Sequence, residues 1–325
     1  MYWPIVIKSA VAGLAVAVLC GAWWLWWRLP KRQMRSVTAA DPKARADIED
    51  NFRKTIGQLI GGAAVLIGAG LAYLQFTQQQ QASQQQFLQQ QQASRDLLIS
   101  NQVSKGFEQL GSDKVVVRLG GIYALEGVMN ASEQYHQPVL EALCAFVRDS
   151  TRFLRTDRPP STDIQAALTV IGRRSAGTGR VDLTDAHIPH ASLVNAKLSD
   201  AVLIRADLSN AVLIRADLSN AHLARTELSG AQLIGAHLNG AQLPEAKLSD
   251  AQLMNADLSD AVLLGAHLNG ALLKFPGGHG YAKLSGAHLS LADLSGAEVS
   301  QTQLDEAACA DGAKLPPGLN LKPCP

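Results

Sequence analysis

The sequence is poor in the residues that disulfide-rich or zinc-stabilised domains require. Its four cysteines, Cys20, Cys144, Cys309 and Cys324, are far apart, and no CxxC pair occurs. Both classes depend on closely spaced cysteines, so the pattern argues against them. Aromatic residues make up only 5% of the chain, and all five tryptophans lie within residues 1–27. The composition is therefore strongly segregated along the chain.

Motifs of known catalytic sites are also absent. The sequence contains no phosphate-binding glycine loop, no GxSxG turn and no HExxH helix. We therefore expect no catalytic, cofactor-binding or metal-binding residues, and the chain is predicted not to be an enzyme. Seven of the eight histidines follow residue 180. His267 and His288 are the pair expected to come closest to stacking, and the interpretation as ordinary surface side chains is favoured.

Two uncharged apolar runs predict transmembrane helices. Residues 9–27 are long enough to cross about 28 Å of hydrocarbon as a helix. The first helix is predicted at about 5–27, and a basic connection follows to residue 54. A cleavable signal peptide is disfavoured, because the charges follow the apolar run and no small-residue cleavage site is present. The second helix is predicted at 55–76.

The two predicted spans carry small residues at helical spacing, which favours close helix packing. We expect the spans to pack as a hairpin, with homodimerisation through the same faces as the alternative. The 28–54 connection holds eight Lys and Arg residues. The positive-inside rule therefore slightly favours a cytoplasmic connection with both termini on the other side, although the side of the C-terminal region stays open.

A glutamine-rich stretch at 77–112 is predicted to continue as a helical stalk. QQQQAS begins at residue 78 and again at residue 89, and Phe76, Phe87 and Leu98 are eleven residues apart. Eleven residues make nearly three helical turns, so these side chains share one stripe. Self-association of this helix is one hypothesis, and disordered low-complexity sequence is the alternative.

Residues 113–180 have the apolar period of three short amphipathic helices. The expected buried positions are Leu119, Ile122, Leu125 and Val128, then Leu140, Leu143 and Phe146, then Ile164, Leu168 and Ile171. This segment resembles an irregular HEAT-like unit. Its expected role is to cover the open end of the structure that follows.

From Val181 to Phe275 the sequence repeats every five residues, and residues 201–220 are one ten-residue sequence twice over. The period resumes at Ala282 and is predicted to continue to residue 306. A short fixed period indicates a stacked architecture, because one unit alone cannot bury its apolar residues. The expected core positions include Leu193, Leu203, Leu208, Leu213, Leu218 and Leu233.

The units ADLSN, ADLSD and AKLSG resemble the pentapeptide-repeat family. The resemblance implies a right-handed quadrilateral β-helix with four five-residue faces per coil. The segments FEQLGSDKVVVRLGGIYALE, DIQAALTVIGRR and QTQLDEAACADGAKLPPGL look like those that accompany membrane-anchored bacterial members. The expected location is therefore the bacterial inner membrane, crossed twice.

The five-residue period is interrupted at 276–281, PGGHGY. This break is expected to replace one face and to add one residue, as a bulged corner. The alternative is a projecting recognition loop that uses His279 and Tyr281. The Pro-rich tail at 307–325 is expected to cover the far end of the β-helix, which otherwise exposes a sheet edge.

Residues twenty apart should share one wall of a four-sided β-helix. On one wall the position after the central leucine is apolar throughout: Val194, Ile214, Ile234 and Met254. Exposed apolar surface marks interaction sites, whereas β-branched residues also suit extended backbone. These two interpretations are weighed evenly.

The favoured function is a membrane-anchored scaffolding module that displays the β-helix to a protein partner not identified by the sequence. A lipid bilayer is the other expected partner, and nucleic acid is not expected. One alternative is a DNA-mimicking topoisomerase modulator, which the family resemblance suggests. Residues 181–306 hold fourteen Asp and Glu against seven Lys and Arg, a net charge of −7. The other alternative is a passive structural element of the envelope.

Overall fold

The computed structural model describes residues 13, 16–17, 20–24, 26–28, 42–153, 156–174, 179–275 and 280–320. The chain divides into two compact units, residues 1–93 and residues 94–325. The described residues between 13 and 28 are helical. The rest of the first predicted span lies outside the described residues.

Helix α1 runs from Pro42 to Leu110, a length of 69 residues. It includes the second predicted span and the predicted stalk, and it also takes in the end of the basic connection. Proline is well placed at the first position, where its missing N–H has no helical partner to lose. Ion pairs one turn apart lie in its third and fourth turns, Arg53 with Glu49 at 2.7 Å and Lys54 with Asp50 at 2.8 Å.

Three shorter helices follow: α2 from Val115 to Ala131, α3 from Glu133 to Thr151 and α4 from Thr162 to Arg173. They contact one another and together form the helical adaptor. Its core contains these fully buried residues: Ile122, Leu125, Leu140, Leu143, Leu168 and Ile171. Two glycines let α1 and α2 come close, since a Cβ on Gly106 would lie 2.7 Å from the Leu125 side chain and one on Gly121 would lie 2.8 Å from the Gly106 carbonyl oxygen.

The region from Val181 onward is a four-walled β-helix whose successive coils pair in parallel at a spacing of twenty residues, as in Asp182 with Val202. The Leu183 N–H donates to the Val202 carbonyl at 2.8 Å, and the Val202 N–H donates to the Val181 carbonyl at 2.9 Å. The central residues define the walls: wall 1 by Leu183, Leu203, Leu223, Leu243 and Leu263; wall 2 by Ile188, Leu208, Leu228, Leu248 and Leu268; wall 3 by Leu193, Leu213, Leu233, Leu253 and Leu273; wall 4 by Leu198, Leu218, Leu238 and Leu258.

Alanine and the central leucine of each unit fill the core. The six core leucines named from the sequence are buried: Leu193, Leu203, Leu208, Leu213, Leu218 and Leu233. A turn closes every corner, in which the N–H of the next alanine donates to the carbonyl of the central leucine. The fifth residue of the unit takes a positive φ there, for example +58° at Arg205. Asn, Asp and Gly accept this conformation most easily, which explains their frequency at that position.

The helical adaptor covers the first coil and satisfies its backbone groups. The Gln165 side chain accepts from the Ser192 N–H at 3.0 Å and donates to the Ser192 carbonyl at 2.8 Å. The His187 N–H donates to the Thr151 hydroxyl at 3.1 Å, and the Lys197 N–H donates to the Gly172 carbonyl at 2.8 Å. These hydrogen bonds close the sheet edge of the first coil. The HEAT-like character of the adaptor stays a prediction.

The break after Phe275 differs from the expectation. Coils on its two sides pair at a spacing of twenty-six residues, as in Asp257 with Lys283. The break is therefore a six-residue insertion and does not replace a wall. Its strands return to the same corner, where the Ala282 N–H donates to the Leu273 carbonyl at 2.7 Å and Lys274 pairs antiparallel with Tyr281.

The C-terminal end also differs. Residues 302–306, predicted as a repeat, lie in helix α5 from Gln301 to Glu306, which Ser300 and Gln303 start with a capping box. The β-helix then continues into the predicted tail, with Cys309 pairing with His288 and Lys314 pairing with Asp293. Because these residues pair with the preceding coil, the β-helix extends beyond the last five-residue repeat that the sequence shows.

Candidate interaction surface

The apolar column of wall 3, made of Val194, Ile214, Ile234 and Met254, is only partly accessible. Val194 is 46% exposed, and Ile214 and Ile234 are half-buried. Met254 is 6% exposed and offers almost no surface to a partner. The candidate interaction surface is therefore shorter than predicted. It consists of Val194, Ile214 and Ile234, at the end of the β-helix nearest the adaptor.

Ion pairs between coils lie on the three other walls. On wall 1 the Arg205 guanidinium donates two hydrogen bonds of 2.7 Å to the Asp185 carboxylate. On the same wall Arg225 donates to Glu245 at 2.8 and 3.3 Å. The pairs of walls 2 and 4 are His187–Asp207, Glu227–Lys247, Asp293–Lys314 and Asp257–Lys283. Among the described residues wall 3 has no such pair.

The two pairs of wall 1 shift the pKa of their members in the direction that favours the charged state. The hydrogen bonds from Arg205 hold the pKa of the Asp185 carboxyl below its ordinary value. Those from Arg225 lower the pKa of Glu245 in the same way. Both pairs are exposed, so each contributes little to stability. Their main effect is to neutralise acidic groups at the surface.

The six-residue insertion displays Tyr281, which is 46% exposed. The other residue of the predicted recognition loop, His279, lies outside the described residues. The returning strand is fixed from inside, because the buried Gln303 side chain donates to the Ala282 carbonyl at 2.9 Å and to the Leu273 carbonyl at 3.2 Å. These hydrogen bonds hold the strand that carries Tyr281 in place. They fit an insertion that acts as a simple corner and equally one that acts as a recognition loop.

No group of three potential metal ligands is found among the described residues. His267 and His288, the pair that could have stacked, do not pair with each other. Because the insertion adds six residues, His267 pairs with Asp293 and His288 pairs with Val262. His187 instead lies within 2.7 Å of Asp207 and within 3.1 Å of the Thr156 carbonyl. It thus joins the first coil to the adaptor.

Sequence reasoning missed two features of the surface. The ion pairs of wall 1 follow from the twenty-residue spacing of Asp185 and Arg205, so the sequence contained a signal for them. Thr226 replaces alanine at a core position, where it is fully buried and its hydroxyl donates to the Leu203 carbonyl at 2.7 Å. No local pattern predicts that hydrogen bond, because its partner is 23 residues away.

The family model for pentapeptide repeats matches at residues 179–213, 211–250, 251–274 and 280–307, in eight copies. Its matches coincide with the four-walled coils described above. Residues 179–274 and 280–307 make up a pentapeptide-repeat domain. The pentapeptide-repeat identity covers this part of the chain and leaves the helices before it unassigned. No curated protein matches the sequence.

Solved pentapeptide-repeat structures are similar to this domain over part of its length. One from the cyanobacterium Cyanothece 51142 is 29% identical, with a TM-score of 0.22, and the match covers 37% of this chain and 64% of that one. This chain thus spans less than two thirds of the cyanobacterial protein. One from the Arabidopsis thaliana thylakoid lumen is 28% identical, with a TM-score of 0.20, covering 34% and 78%. QnrB1, a plasmid-mediated fluoroquinolone resistance protein, is 15% identical, with a TM-score of 0.25, covering 42% and 79%.

Proposed function

We propose that this protein is a membrane-anchored, non-catalytic interaction module that presents its pentapeptide-repeat domain to a protein partner. The observation that carries the proposal is helix α1, because its apolar segment and the chain that enters the folded domain form one uninterrupted helix. Pentapeptide-repeat domains are generally protein-interaction modules. A continuous helix is a direct way to hold such a module near a bilayer.

The membrane anchor is supported by the apolar part of α1. Its most apolar window has a mean hydropathy of 1.8 and is not buried inside the protein. Residues 55–76 contain no charge, and as a helix they reach about 33 Å, enough to cross a bilayer. Leu59, Val65 and Leu66 on this segment are exposed. Exposure of this apolar surface to water is unfavourable, whereas its burial in lipid is favourable.

The anchor is tested by extraction of membranes from cells that express the full chain. We expect the protein to stay with the membrane in alkaline carbonate and to enter solution only with detergent. Replacing Val65 and Leu66 by Arg should reduce the share that carbonate leaves in the membrane, because charges near the centre of this span oppose its insertion. Release of the unaltered chain by carbonate would refute the anchor.

We place the pentapeptide-repeat domain outside the cytoplasm of a bacterial cell, with the inner membrane crossed twice. The eight Lys and Arg residues of the 28–54 connection favour a cytoplasmic connection. In addition, Cys309 is disulfide-bonded, and disulfides persist in oxidising compartments. The test is an Asn239→Cys variant, which puts a thiol on exposed wall 4. An impermeant thiol reagent should label it in cells with a permeabilised outer membrane. Labelling only after lysis would place the domain in the cytoplasm.

The partner is proposed to bind wall 3, at the apolar surface of Val194, Ile214 and Ile234. The test is the double variant Ile214→Asp with Ile234→Asp. Its matched control is Ser219→Asp with Asn239→Asp, which changes the equivalent positions on wall 4. We expect proteins cross-linked to the wild-type domain in cells to be lost only in the wall 3 variant. Equal loss in both variants, or in neither, would show that wall 3 is an ordinary solvent face.

DNA mimicry is less well supported than protein binding. Six acidic groups of the repeat region already form ion pairs with Lys or Arg within the chain. Internal pairing weakens the negative field that a duplex mimic needs. A supercoiling assay with purified topoisomerase should therefore show no effect of the protein. A purely structural role in the envelope would be indicated instead if no protein cross-links to any wall.

A further inference from the structure

The part of α1 from Gln78 to Leu98 packs against none of the residues that the structure describes. Within the part of the chain that the structure describes, every residue from Gln78 to Leu98 is exposed. These residues include large apolar side chains, with Phe87 and Leu98 each 66% exposed. A single helix without tertiary contacts is only marginally stable in water. The stalk is therefore a helix whose stabilising surface is missing from one copy of the chain.

Three of the exposed apolar side chains follow the helix at a fixed period, whereas Leu88 and Leu97, which are also exposed, lie to either side of it. Phe76, Phe87 and Leu98 are eleven residues apart, and so are the small residues Ser83 and Ser94. At about 100° per residue, Ser83 lies within about 40° of Phe87 around the helix, whereas Ala82 lies about 140° away. A sustained eleven-residue period is typical of right-handed coiled coils. We call the line through Phe76, Ser83, Phe87, Ser94 and Leu98 the stalk stripe.

The composition of the stalk fits a second copy of the same chain better than a different protein. Residues 55–94 contain no charged side chain, and eleven of the eighteen residues from 77 to 94 are glutamine. In a parallel, in-register pair each residue faces itself. Like charges would repel in that arrangement, whereas a glutamine amide both donates and accepts and can pair with an identical amide. Copies anchored in one bilayer with the same topology are necessarily parallel.

The adaptor leaves the face of Leu98 open. It packs on Val103, Gly106 and Leu110 of α1, the buried residues of this helix. These lie about 80° to 140° around the helix from Leu98. Gln102, Lys105 and Gln109 continue the Leu98 face and line an open groove of about 560 Å³ with Tyr123 and Gly127 of α2. Gln109 is half-buried against Gly121 of α2, so a neighbouring helix has free access to this face only as far as Lys105. Lys105 is the first charge on the face and marks the end of the stripe.

We infer that the protein self-associates through the stalk stripe as a parallel, in-register, right-handed coiled coil, with a second copy of the chain as the partner. The parallel orientation rests on the proposed membrane anchor. The consequence for function is that several pentapeptide-repeat domains are presented together. A partner that binds weakly to one wall 3 surface would then bind more tightly to the assembly.

The test uses single cysteines in the full chain, in membranes and in mild detergent, with Cys20→Ser as the background. Ser83→Cys and Ser94→Cys place a thiol on the stripe. Ala82→Cys and Ala93→Cys are their controls, since each lies one residue away on a different face. A disulfide requires close Cα atoms, about 4.4–6.8 Å apart. Under mild oxidation we expect the two stripe variants to give cross-linked dimers in several-fold higher yield than the controls.

A second measurement separates loss of association from loss of folding. Phe87→Asp puts like charges face to face and should lower the protein mass measured by light scattering in detergent to that of one chain. Gln85→Asp lies about 160° from Phe87 and should leave the mass unchanged. Both changes are at exposed positions of a helix, and circular dichroism checks that the helix and the β-helix persist.

The outcomes distinguish this inference from the proposed anchor. Equal cross-linking in stripe and control variants, or a single-chain mass for the unaltered protein, would overturn self-association while leaving the anchor untouched. Cross-linking of the stripe only to a different protein would overturn it as well. A chain that carbonate releases from membranes, but that still cross-links through Ser83→Cys, would support the coiled coil and refute the anchor.

Discussion

Leu213 offers the sharpest test of how the β-helix core is held together. The side chain is completely buried in the middle of wall 3, between Leu193 and Leu233 in the coils on either side. Replacement by alanine removes three carbons from a site that has little freedom to collapse. The reason is the backbone hydrogen bonding between coils. The Leu193 N–H donates to the Val212 carbonyl at 2.8 Å, and the Leu213 N–H donates to the Gln232 carbonyl at 2.8 Å. These bonds fix the spacing of the coils.

A cavity that cannot close places Leu213→Ala in the upper part of the range for such changes, about 3–5 kcal/mol. For a folded unit of this size, that corresponds to a fall of about 6–20 °C in melting temperature. The measurement is thermal unfolding of the full chain in mild detergent, followed by circular dichroism. Leu213→Lys should have a larger effect and abolish cooperative melting, because it buries an unpaired charge.

The matched control is His237→Ala, at an exposed position on wall 4. Asp217 is a poorer control, because its carboxylate accepts a hydrogen bond from the Ser219 N–H at 3.1 Å. We expect His237→Ala to melt within about 2 °C of the wild type, as surface changes usually do. If Leu213→Ala melted with it, the leucine columns would not be what stabilises the domain, and the argument from coil spacing would be wrong.

Three further changes test other parts of the structure by the same melting assay. Gly265 has φ of +65°, and a Cβ there would meet only Glu245 Cγ at 3.9 Å, so Gly265→Ala should cost about 1 kcal/mol from the backbone alone. Leu291→Gly, at φ of +59°, should instead gain about 0.5–1 kcal/mol. The opposite signs would refute the role of the turn. Thr226→Ala should cost about 1 kcal/mol through the lost hydrogen bond, and a neutral result would mean that the bond does not contribute. Burial opposes ionisation of Asp163, but hydrogen bonds from Ser161 and Arg118 outweigh it and lower its pKa. The stability that ionised Asp163 contributes should therefore be present above about pH 4 and should fall as the pH drops further. Urea titrations at several pH values measure this free energy of unfolding, and Asp163→Asn should remove this part of its dependence on acid.

The sequence by itself determined the parts of the protein that depend on near neighbours. The A-x-L-x-x period specifies a core residue and a corner in every unit, so residues such as Leu208 and Leu218 were identifiable without a structure. The twenty-residue spacing then places Asp185 over Arg205. The eleven-residue period and the lack of charge between 55 and 94 likewise favoured one long helix. Each of these patterns repeats locally, and every copy supports the same conclusion.

The tertiary structure decided what happens where the repetition stops. After the six-residue insertion the chain returns to the corner at Leu273, because the Ala282 N–H takes the place of the usual donor to the Leu273 carbonyl. The five-residue period of the sequence does not reveal this hydrogen bond. The Gln165 side chain closes the first coil, and Gln303 fixes the insertion from inside. Met254 is buried although it occupies an outward position in the repeat. Ends, insertions and local burial depend on contacts between residues far apart in the chain, and such contacts leave no periodic pattern in the sequence.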